Sequence, residues 1–204
     1  MEAIPFDVEV YETQEGRVPF SEWLTSLKDT QAAARILLRL DRTKQGNLGD
    51  HKLIADGMYE FRIDTGAGYR VYFGRVSNWI IVILWGGDKS SNSEILKKRN
   101  STGWITGVGM MPKSRSYEQE LMGYLQDSER AVAYLNAALE EGEEELFLVA
   151  LQNVVKASGK GADWFEQLEN VQPDSADRTA HQLFMLLKEL RLGLKPMEFP
   201  KVVS

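Results

Sequence analysis

The chain contains no cysteine and only two histidines, His51 and His181, among its 204 residues. The absence of cysteine excludes disulfides and thiolate metal sites, and it is compatible with a reducing compartment. Two histidines do not favour a histidine-based zinc site. We therefore predict a protein that binds no metal and no other cofactor.

Long apolar runs are also missing from the sequence. It has no stretch of about 18 consecutive apolar residues, and its N-terminus is not a basic segment followed by an apolar one. The sequence therefore predicts neither a membrane span nor a secretory signal, and we expect a cytoplasmic protein. The hydrophobic content of 43% is sufficient for ordinary globular cores, which excludes a disordered chain.

The net charge of −6 is unevenly distributed along the chain. Residues 1–100 carry 14 basic and 14 acidic side chains, whereas residues 101–204 carry 10 and 16. Within the first part, residues 31–100 hold 12 basic side chains against 7 acidic ones. A basic centre joined to an acidic second half predicts that the second half covers the first, although unrelated surface charge is the alternative.

Residues 49–90 are the most informative stretch, because they predict three strands in succession. Apolar and polar residues alternate from Met58 to Asp64, which is typical of a half-buried strand. Two further runs, 69–73 and 79–85, are rich in aromatic and β-branched residues. The last of them is apolar enough to lie at the centre of a sheet.

The same stretch carries basic residues that form a candidate phosphate-binding surface. If the first turn has three or five loop residues, Arg62 and Arg70 share a face of the sheet, whereas an even loop separates them. Lys52 comes just before the predicted strands and Lys89 just after them. Such a cationic surface is suited to a phosphodiester backbone.

The preceding residues predict one strand and two helices. Residues 6–12 alternate as a strand, 19–27 form a short helix, and Thr30 is the expected N-cap of a second helix that ends at Gly46. The second helix carries an apolar stripe at helical spacing, made of Ala33, Ile36, Leu37 and Leu40. The predicted order of elements is βααβββ.

Four segments carry a resemblance to a known family: YETQEGRVPFSEWLTSLKD, ARILLRLDRTKQGNLGDHK, MYEFRIDTGAGYRVYFG and VILWGGDKSSNSEI. Together they resemble the RelE/HigB-like toxins of type II toxin–antitoxin systems, in the phage-related addiction module killer branch. The resemblance implies an α+β fold with a small antiparallel sheet over residues 1–100. It also implies cleavage of messenger RNA, generally on the ribosome. Such toxins usually end in a longer C-terminal helix, whereas this resemblance stops near Asn100.

Residues 101–116 have no periodicity and predict a linker, and the sequence is helical in pattern from Tyr117 onwards. Ser128 is the expected N-cap of a helix there. The segment DSERAVAYLNAALEEGEEELFLVALQNVVKASG is similar to the N-terminal half of HigA-like antitoxins, the partners of these toxins. The resemblance therefore implies an all-α antitoxin-like domain over 117–204, fused to the toxin-like part.

A degenerate helix-turn-helix is expected in this second domain. Residues 159–178 include five acidic side chains, which repel phosphates, and residues 179–194 predict a closing amphipathic helix. We therefore expect weak DNA binding.

Metal-free RNA cleavage needs cationic stabilisation of the charge that develops on the phosphate. Arginine is a poor base because of its high pKa, so the resemblance and the charge together make Arg62 and Arg70 electrostatic stabilisers. Lys89 is the third candidate catalytic residue. The candidate RNA-binding residues are Lys44, Lys52 and Tyr72.

Each candidate also has a purely structural interpretation. Arg62 and Arg70 could simply be exposed sheet arginines bound to Glu60 and Asp64, and Lys89 could lie in a turn after the last strand. Loop lysines are usually only solvated. Tyr72 or its neighbour Tyr69 could stack on bases, with the other in the core.

Two further features have alternative interpretations. Tryptophans 23, 79 and 85 are expected in the core. The acidic run Glu140–Glu145 is either a solvated helix junction or a partner for cations of the toxin-like part.

The sequence thus predicts a metal-independent mRNA endoribonuclease whose antitoxin-like half neutralises it. Its expected partners are mRNA on the ribosome and the other half of the same fusion, paired in cis or between chains, and a homo-oligomer is compatible with this. One alternative is a catalytically inactive toxin fold that acts as a binding or regulatory module. The other is a DNA-binding autorepressor.

Overall fold

The computed structural model describes residues 5–55, 57–89 and 113–159, and these form a mixed α+β structure. The N-terminal elements are β1 (Asp7–Tyr11), α1 (Pro19–Ser26), α2 (Thr30–Lys44), β2 (His51–Ala55), β3 (Met58–Ile63), β4 (Tyr69–Arg75) and β5 (Ile80–Asp88). They are followed by β6 (Ser114–Ser116), α3 (Tyr117–Leu125), α4 (Ser128–Glu141) and α5 (Glu144–Ala157). The predicted α+β class is confirmed.

The strands form one six-stranded sheet in the order β2-β3-β4-β5-β1-β6. Strands β2 to β5 are antiparallel to one another, β1 lies parallel to β5, and β6 is antiparallel to β1. Strand β5 has neighbours on both sides, as its apolar sequence IIVILW predicts, and its residues from Ile81 to Trp85 are buried.

The prediction of three strands between residues 49 and 90 was wrong by one strand. His51–Ala55 forms β2, which pairs with β3, so Lys52 lies within the sheet rather than before it. Strand β2 lies at the sheet edge and three of its side chains are exposed. Such a strand has little apolar alternation, and its pairing partner identifies it better than its own sequence does.

Both predicted N-caps lie one residue too far along the chain. The side chain of Asp29 accepts a hydrogen bond from the Ala32 amide at 2.9 Å and caps α2, which begins at Thr30. Asp127 caps α4 in the same way, accepting from the amides of Glu129 and Arg130. A carboxylate at this position satisfies free amides and complements the helix dipole.

Helix α2 is buried on more than its predicted stripe. The four stripe residues are 0–1% exposed, and Ala32, Ala34 and Leu38 are 0–2% exposed. The reason is that α2 lies between two layers, because it contacts β1 on one side and both α4 and α5 on the other. A helix that is apolar over most of its circumference is expected to be enclosed in this way.

Helices α3 to α5 share one hydrophobic core with the N-terminal elements. The main cluster includes Val10 of β1 and Leu37 of α2 together with Tyr134 and Leu151 of the C-terminal helices. Strand β6 lies at the end of the predicted linker 101–116 and pairs with β1.

The predicted domain boundaries at residues 100 and 117 stay predictions.

The predicted degenerate helix-turn-helix and the closing helix at 179–194 lie outside the described residues, apart from Gly159. Within the ranges that the structure describes, no helix is both long enough and apolar enough to cross a membrane.

Candidate nucleic-acid interface

Strands β3 and β4 place Arg62 and Arg70 directly opposite each other. The pairing runs from Met58 with Gly74 to Ile63 with Tyr69, and Arg62 is the direct partner of Arg70. The loop between the strands has five residues, 64–68, which is one of the two lengths that predicted a shared face. Gly66 and Gly68 adopt φ angles of 53° and 74°, which other residues rarely adopt, and so permit this loop.

The arginine pair lies on the sheet face opposite α2. Phe61 and Val71 belong to the main core with the helix residues, and the arginines alternate with them along the strands. We call the side of the sheet that carries Arg62 and Arg70 the arginine face. It also holds a second buried cluster, which contains Met58, Tyr72, Val82, Leu84 and Trp85.

Beside the arginine pair, a row of side chains crosses four strands of the arginine face. Lys52 of β2 is opposite Glu60 of β3, Glu60 is opposite Tyr72 of β4, and Tyr72 is opposite Trp85 of β5. Arg70 itself is opposite Gly87, which has no side chain. The face therefore carries two guanidinium groups next to a row of two charged residues followed by two aromatic ones.

Both arginines form the ion pairs with Glu60 and Asp64 that we expected if their role were purely structural. Arg62 Nε donates to Glu60 Oε1 at 3.0 Å, and Arg70 Nη1 lies 3.8 Å from Asp64 Oδ1. Arg70 Nη1 also donates to the carbonyl of Tyr69 at 2.9 Å. The hydrogen bond to Glu60 raises the pKa of Arg62. Neither arginine is fully exposed, since their side chains are 34% and 11% accessible.

Tyr72 is a core residue of the arginine face. Its ring is fully buried and tilted against Trp85, with centroids 6.3 Å apart. Burial, assisted by the negative charge of Glu60, raises the pKa of Tyr72 to about 12. A fully buried ring presents no face to a nucleotide, so this conformation does not support the predicted RNA contact.

The three candidate lysines lie in different places. Lys52 is exposed on the arginine face. It pairs with Glu60, which precedes Arg62 by two residues on β3. Lys89 is exposed just after β5, at the end of the sheet where Gly87 meets Arg70. Lys44 belongs to the last turn of α2, on the other side of the sheet. The structure therefore groups Lys52 and Lys89 with the arginines and separates Lys44 from them.

The acidic run at the junction of α4 and α5 pairs with α2. Arg35 Nη2 lies 3.0 Å from Glu140 Oε2. Arg42 Nη2 lies 2.7 Å from both Glu141 Oε2 and Glu143 Oε1. Three acids of this run are thus ion-paired, and the cations they meet belong to the helix layer rather than to the arginine face.

A buried carboxyl group of α2 was not predicted as functional. Asp41 of α2 is 2% exposed, and its Oδ2 accepts a hydrogen bond from Tyr134. Asn153 donates to the same Tyr134 hydroxyl at 3.0 Å, and the buried Tyr117 hydroxyl donates to the Leu37 carbonyl at 3.3 Å. Burial raises the pKa of Asp41 to about 6.

The sequence held one signal for Asp41. It lies four residues after Leu37, on the continuation of the apolar stripe, where a charged residue is unexpected. Its partners are more than 70 residues away in sequence, so they could not be identified from a local pattern.

The three tryptophans do not share the predicted core environment. Trp85 is 5% exposed and Trp23 packs partly buried against the main core, but Trp79 is 58% exposed. The prediction for Trp79 was therefore wrong. Trp79 precedes β5 in the short connection from β4, at an end of the sheet.

No family model matches the chain. No solved structure matches it either. It is similar to an uncharacterized protein from Haemophilus influenzae, with 43% identity over 79 residues. The aligned part is 39% of this chain and 80% of the relative, which is therefore about half as long as this chain.

Proposed function

We propose that this chain, which belongs to the family of the uncharacterized Haemophilus influenzae protein, is a toxin–antitoxin system protein. Its N-terminal part acts as a metal-independent endoribonuclease on messenger RNA at the ribosome, in the cytoplasm. The observation that carries the proposal is the direct cross-strand pairing of Arg62 with Arg70. Two guanidinium groups on neighbouring strands complement a phosphate that gains negative charge during cleavage.

The arginines supply the electrostatic part of this chemistry. Their ordinary pKa is too high for proton abstraction at neutral pH, so they act as stabilisers and not as bases. Lys52 and Lys89 flank them and extend the positive surface along the RNA backbone. Alignment of the 2′-hydroxyl with the phosphate is then the contribution of the ribosome, which positions the message.

The C-terminal helices are the neutralising half in this proposal. Helices α4 and α5 dock on α2, and α2 packs on the sheet face away from Arg62 and Arg70. Docked there, the described helices add bulk to the back of the sheet. They therefore inhibit by hindering access to the ribosome, and the same docking can occur in cis or between two chains.

The test separates the two halves and assays translation. A protease site is inserted after Thr102, the chain is cut, the parts are separated under mild denaturation, and the N-terminal part is refolded and checked by circular dichroism. We expect the intact chain to be harmless and the refolded part to cleave mRNA on translating ribosomes. A folded N-terminal part that does not cleave mRNA would contradict the endoribonuclease activity. An intact chain that inhibits translation as strongly as the isolated N-terminal part would exclude neutralisation by the C-terminal helices.

One observation favours the rival function, a binding module without catalysis. Arg70 is only 11% exposed and lies next to Asp64, while Arg62 is paired with Glu60. Arginines that are already paired can hold a protein or RNA partner without promoting a reaction. RNA binding by the refolded N-terminal part without cleavage would favour this module.

A further inference from the structure

Glu60 is a buried carboxylate inside the arginine face. The residue is 4% exposed, and it lies on β3 two residues before Arg62 and on the same face. Its Oε1 accepts the Nε–H of Arg62 at 3.0 Å. Its direct neighbours across the sheet are Lys52 on one side and Tyr72 on the other.

On physical grounds, we do not expect the burial of Glu60 to stabilise the fold. A carboxylate loses its hydration when it is buried, and a single ion pair regains only part of that loss. The second oxygen of Glu60, Oε2, is also buried, and no hydrogen-bond partner for it is found within the described ranges. An apolar residue at this position of β3 would be less costly. The role of Glu60 is therefore to be sought in what it does to Arg62.

The ion pair occupies one edge of the Arg62 guanidinium. Arginine has five N–H donors, and Glu60 engages the single donor on Nε. The four donors on Nη1 and Nη2 belong to the edge that binds a phosphate in the two-point manner typical of arginine. Arg70 differs, because its Nη1 donates to a carbonyl and approaches Asp64. Arg62 is thus the better oriented of the two arginines.

We propose that Glu60 is a positioning residue, which holds Arg62 by its Nε–H so that the Nη edge faces the phosphate of the RNA substrate. The inference rests on the proposed function, since it names how the same site contacts RNA. The pairing lowers the number of conformations open to a long flexible side chain, and it does so before substrate arrives. Glu60 itself touches no substrate.

The first experiment measures the orientation of Arg62 in the full chain without reference to activity. The Nε–H resonance of Arg62 is assigned by its loss in Arg62→Ala, and its exchange with water is followed by NMR. We expect slow exchange in the native chain and in Glu60→Gln, whose amide oxygen still accepts the hydrogen bond. We expect fast exchange in Glu60→Ala.

The second experiment measures binding of a fluorescein-labelled oligoribonucleotide to the full chain. We expect Glu60→Ala to weaken binding about tenfold, and Glu60→Gln to retain most of the affinity. In an Arg62→Ala background, Glu60→Ala should have no further effect, because the residue it positions is gone. Glu9→Ala is the matched control, since Glu9 is a carboxylate of β1 on the same face, and it accepts a hydrogen bond from the Ser114 hydroxyl. Glu9→Ala should leave RNA binding unchanged.

The outcomes separate the positioning role from the proposed function. If Glu60→Ala leaves the Arg62 exchange slow, or weakens binding equally with and without Arg62, the positioning role is wrong. If the native chain binds no RNA although Glu60 slows the Arg62 exchange, the RNA function is wrong while the orientation of Arg62 by Glu60 stands. Thermal unfolding of each variant identifies any effect that comes from loss of the fold.

Discussion

The two sides of the sheet carry arginines whose acidic partners come from different parts of the chain. On the helix side, Arg35 and Arg42 of α2 pair with acids about a hundred residues further along the sequence. On the arginine face, Arg62 and Arg70 pair with Glu60 and Asp64 of their own hairpin. The long-range pairs bind the C-terminal helices to α2, whereas the local pairs join residues of the same hairpin.

The difference indicates a division of labour between the two sides. Charge on α2 is used for contact between the two parts of the chain, at the layer that also contains Asp41 and its tyrosine partner. Charge on the arginine face orients side chains that belong to one hairpin. The following predictions test this division, and they begin with the largest expected effect.

Arginines of the arginine face should matter for cleavage, and arginines of α2 should not. Changing Arg62 or Arg70 to Ala in the refolded N-terminal part should raise the barrier of RNA cleavage by about 2 to 4 kcal/mol. Cleavage on translating ribosomes, followed by primer extension, measures this. Arg35→Ala is the matched control, and an equal loss of cleavage in it would remove the distinction between the two sides.

Asp41 should make the helix layer less stable as the pH rises. Its pKa is raised to about 6 in the folded chain from an ordinary value of 3.8, because burial disfavours the charged form. The stability contribution is therefore fully present below pH 3.8 and is lost as the pH rises through 6. The loss is about 3 kcal/mol at most.

Asp41→Asn keeps an acceptor for Tyr134 without the charge. Above pH 7 it should therefore stabilise the chain by about 1 to 3 kcal/mol, and the pH dependence between 4 and 7 should flatten. Urea unfolding at a series of pH values measures both effects. A variant that follows the same pH curve as the native chain would show that Asp41 does not titrate there.

Gly86 tests the packing of the helix side. A Cβ at this position would lie 1.9 Å from the Trp23 ring, so Gly86→Ala must displace this ring from its packing on β5 and should cost about 1 to 3 kcal/mol. Gly123 of α3 has open space around its would-be Cβ, and Gly123→Ala should stabilise the chain by about 0.5 to 1 kcal/mol. Urea unfolding measures the stability of both variants. Changes in stability of the same sign would contradict the packing described.

The smallest effect concerns the ion pairs that join α2 to the acidic run. Arg42 is 16% exposed and meets Glu141 and Glu143, so Arg42→Ala should cost about 1 kcal/mol, and less at high salt. Arg17 and Glu22 form an exposed pair within the N-terminal part. Arg17→Ala should change stability little by comparison, and a larger effect there would contradict the importance of the acidic run.

The sequence could predict those elements of the fold that follow from a short-range periodicity of apolar and polar residues. The alternation in 58–64 identified β3 and the face of Arg62, and the helical spacing from Ala33 identified α2. The pairing of Arg62 with Arg70 depends on the length of the loop between β3 and β4. The sequence alone did not decide whether this loop has an odd or an even number of residues. Only the structure fixes the loop at five residues.

Other features could not be predicted because their causes are far away in sequence. Strand β2 exists through its pairing with β3, and the exposure of Trp79 depends on where the sheet ends. Glu60 was anticipated as an acidic partner, but its burial was not, because its neighbour Tyr72 of the second cluster lies on the next strand. The environment of Asp41 requires Tyr134, which is 93 residues further along the chain.

The central claim is that RNA contacts the arginine face and not the helix side. It is tested most directly by photo-crosslinking a 4-thiouridine-substituted oligoribonucleotide to the full chain and mapping the crosslinked peptides. We predict crosslinks in β2 to β4, around Lys52, Arg62 and Arg70, which disappear in the Arg62→Ala, Arg70→Ala double variant. Crosslinks confined to α2 or to helices α3 to α5, and unchanged in that double variant, would contradict the account.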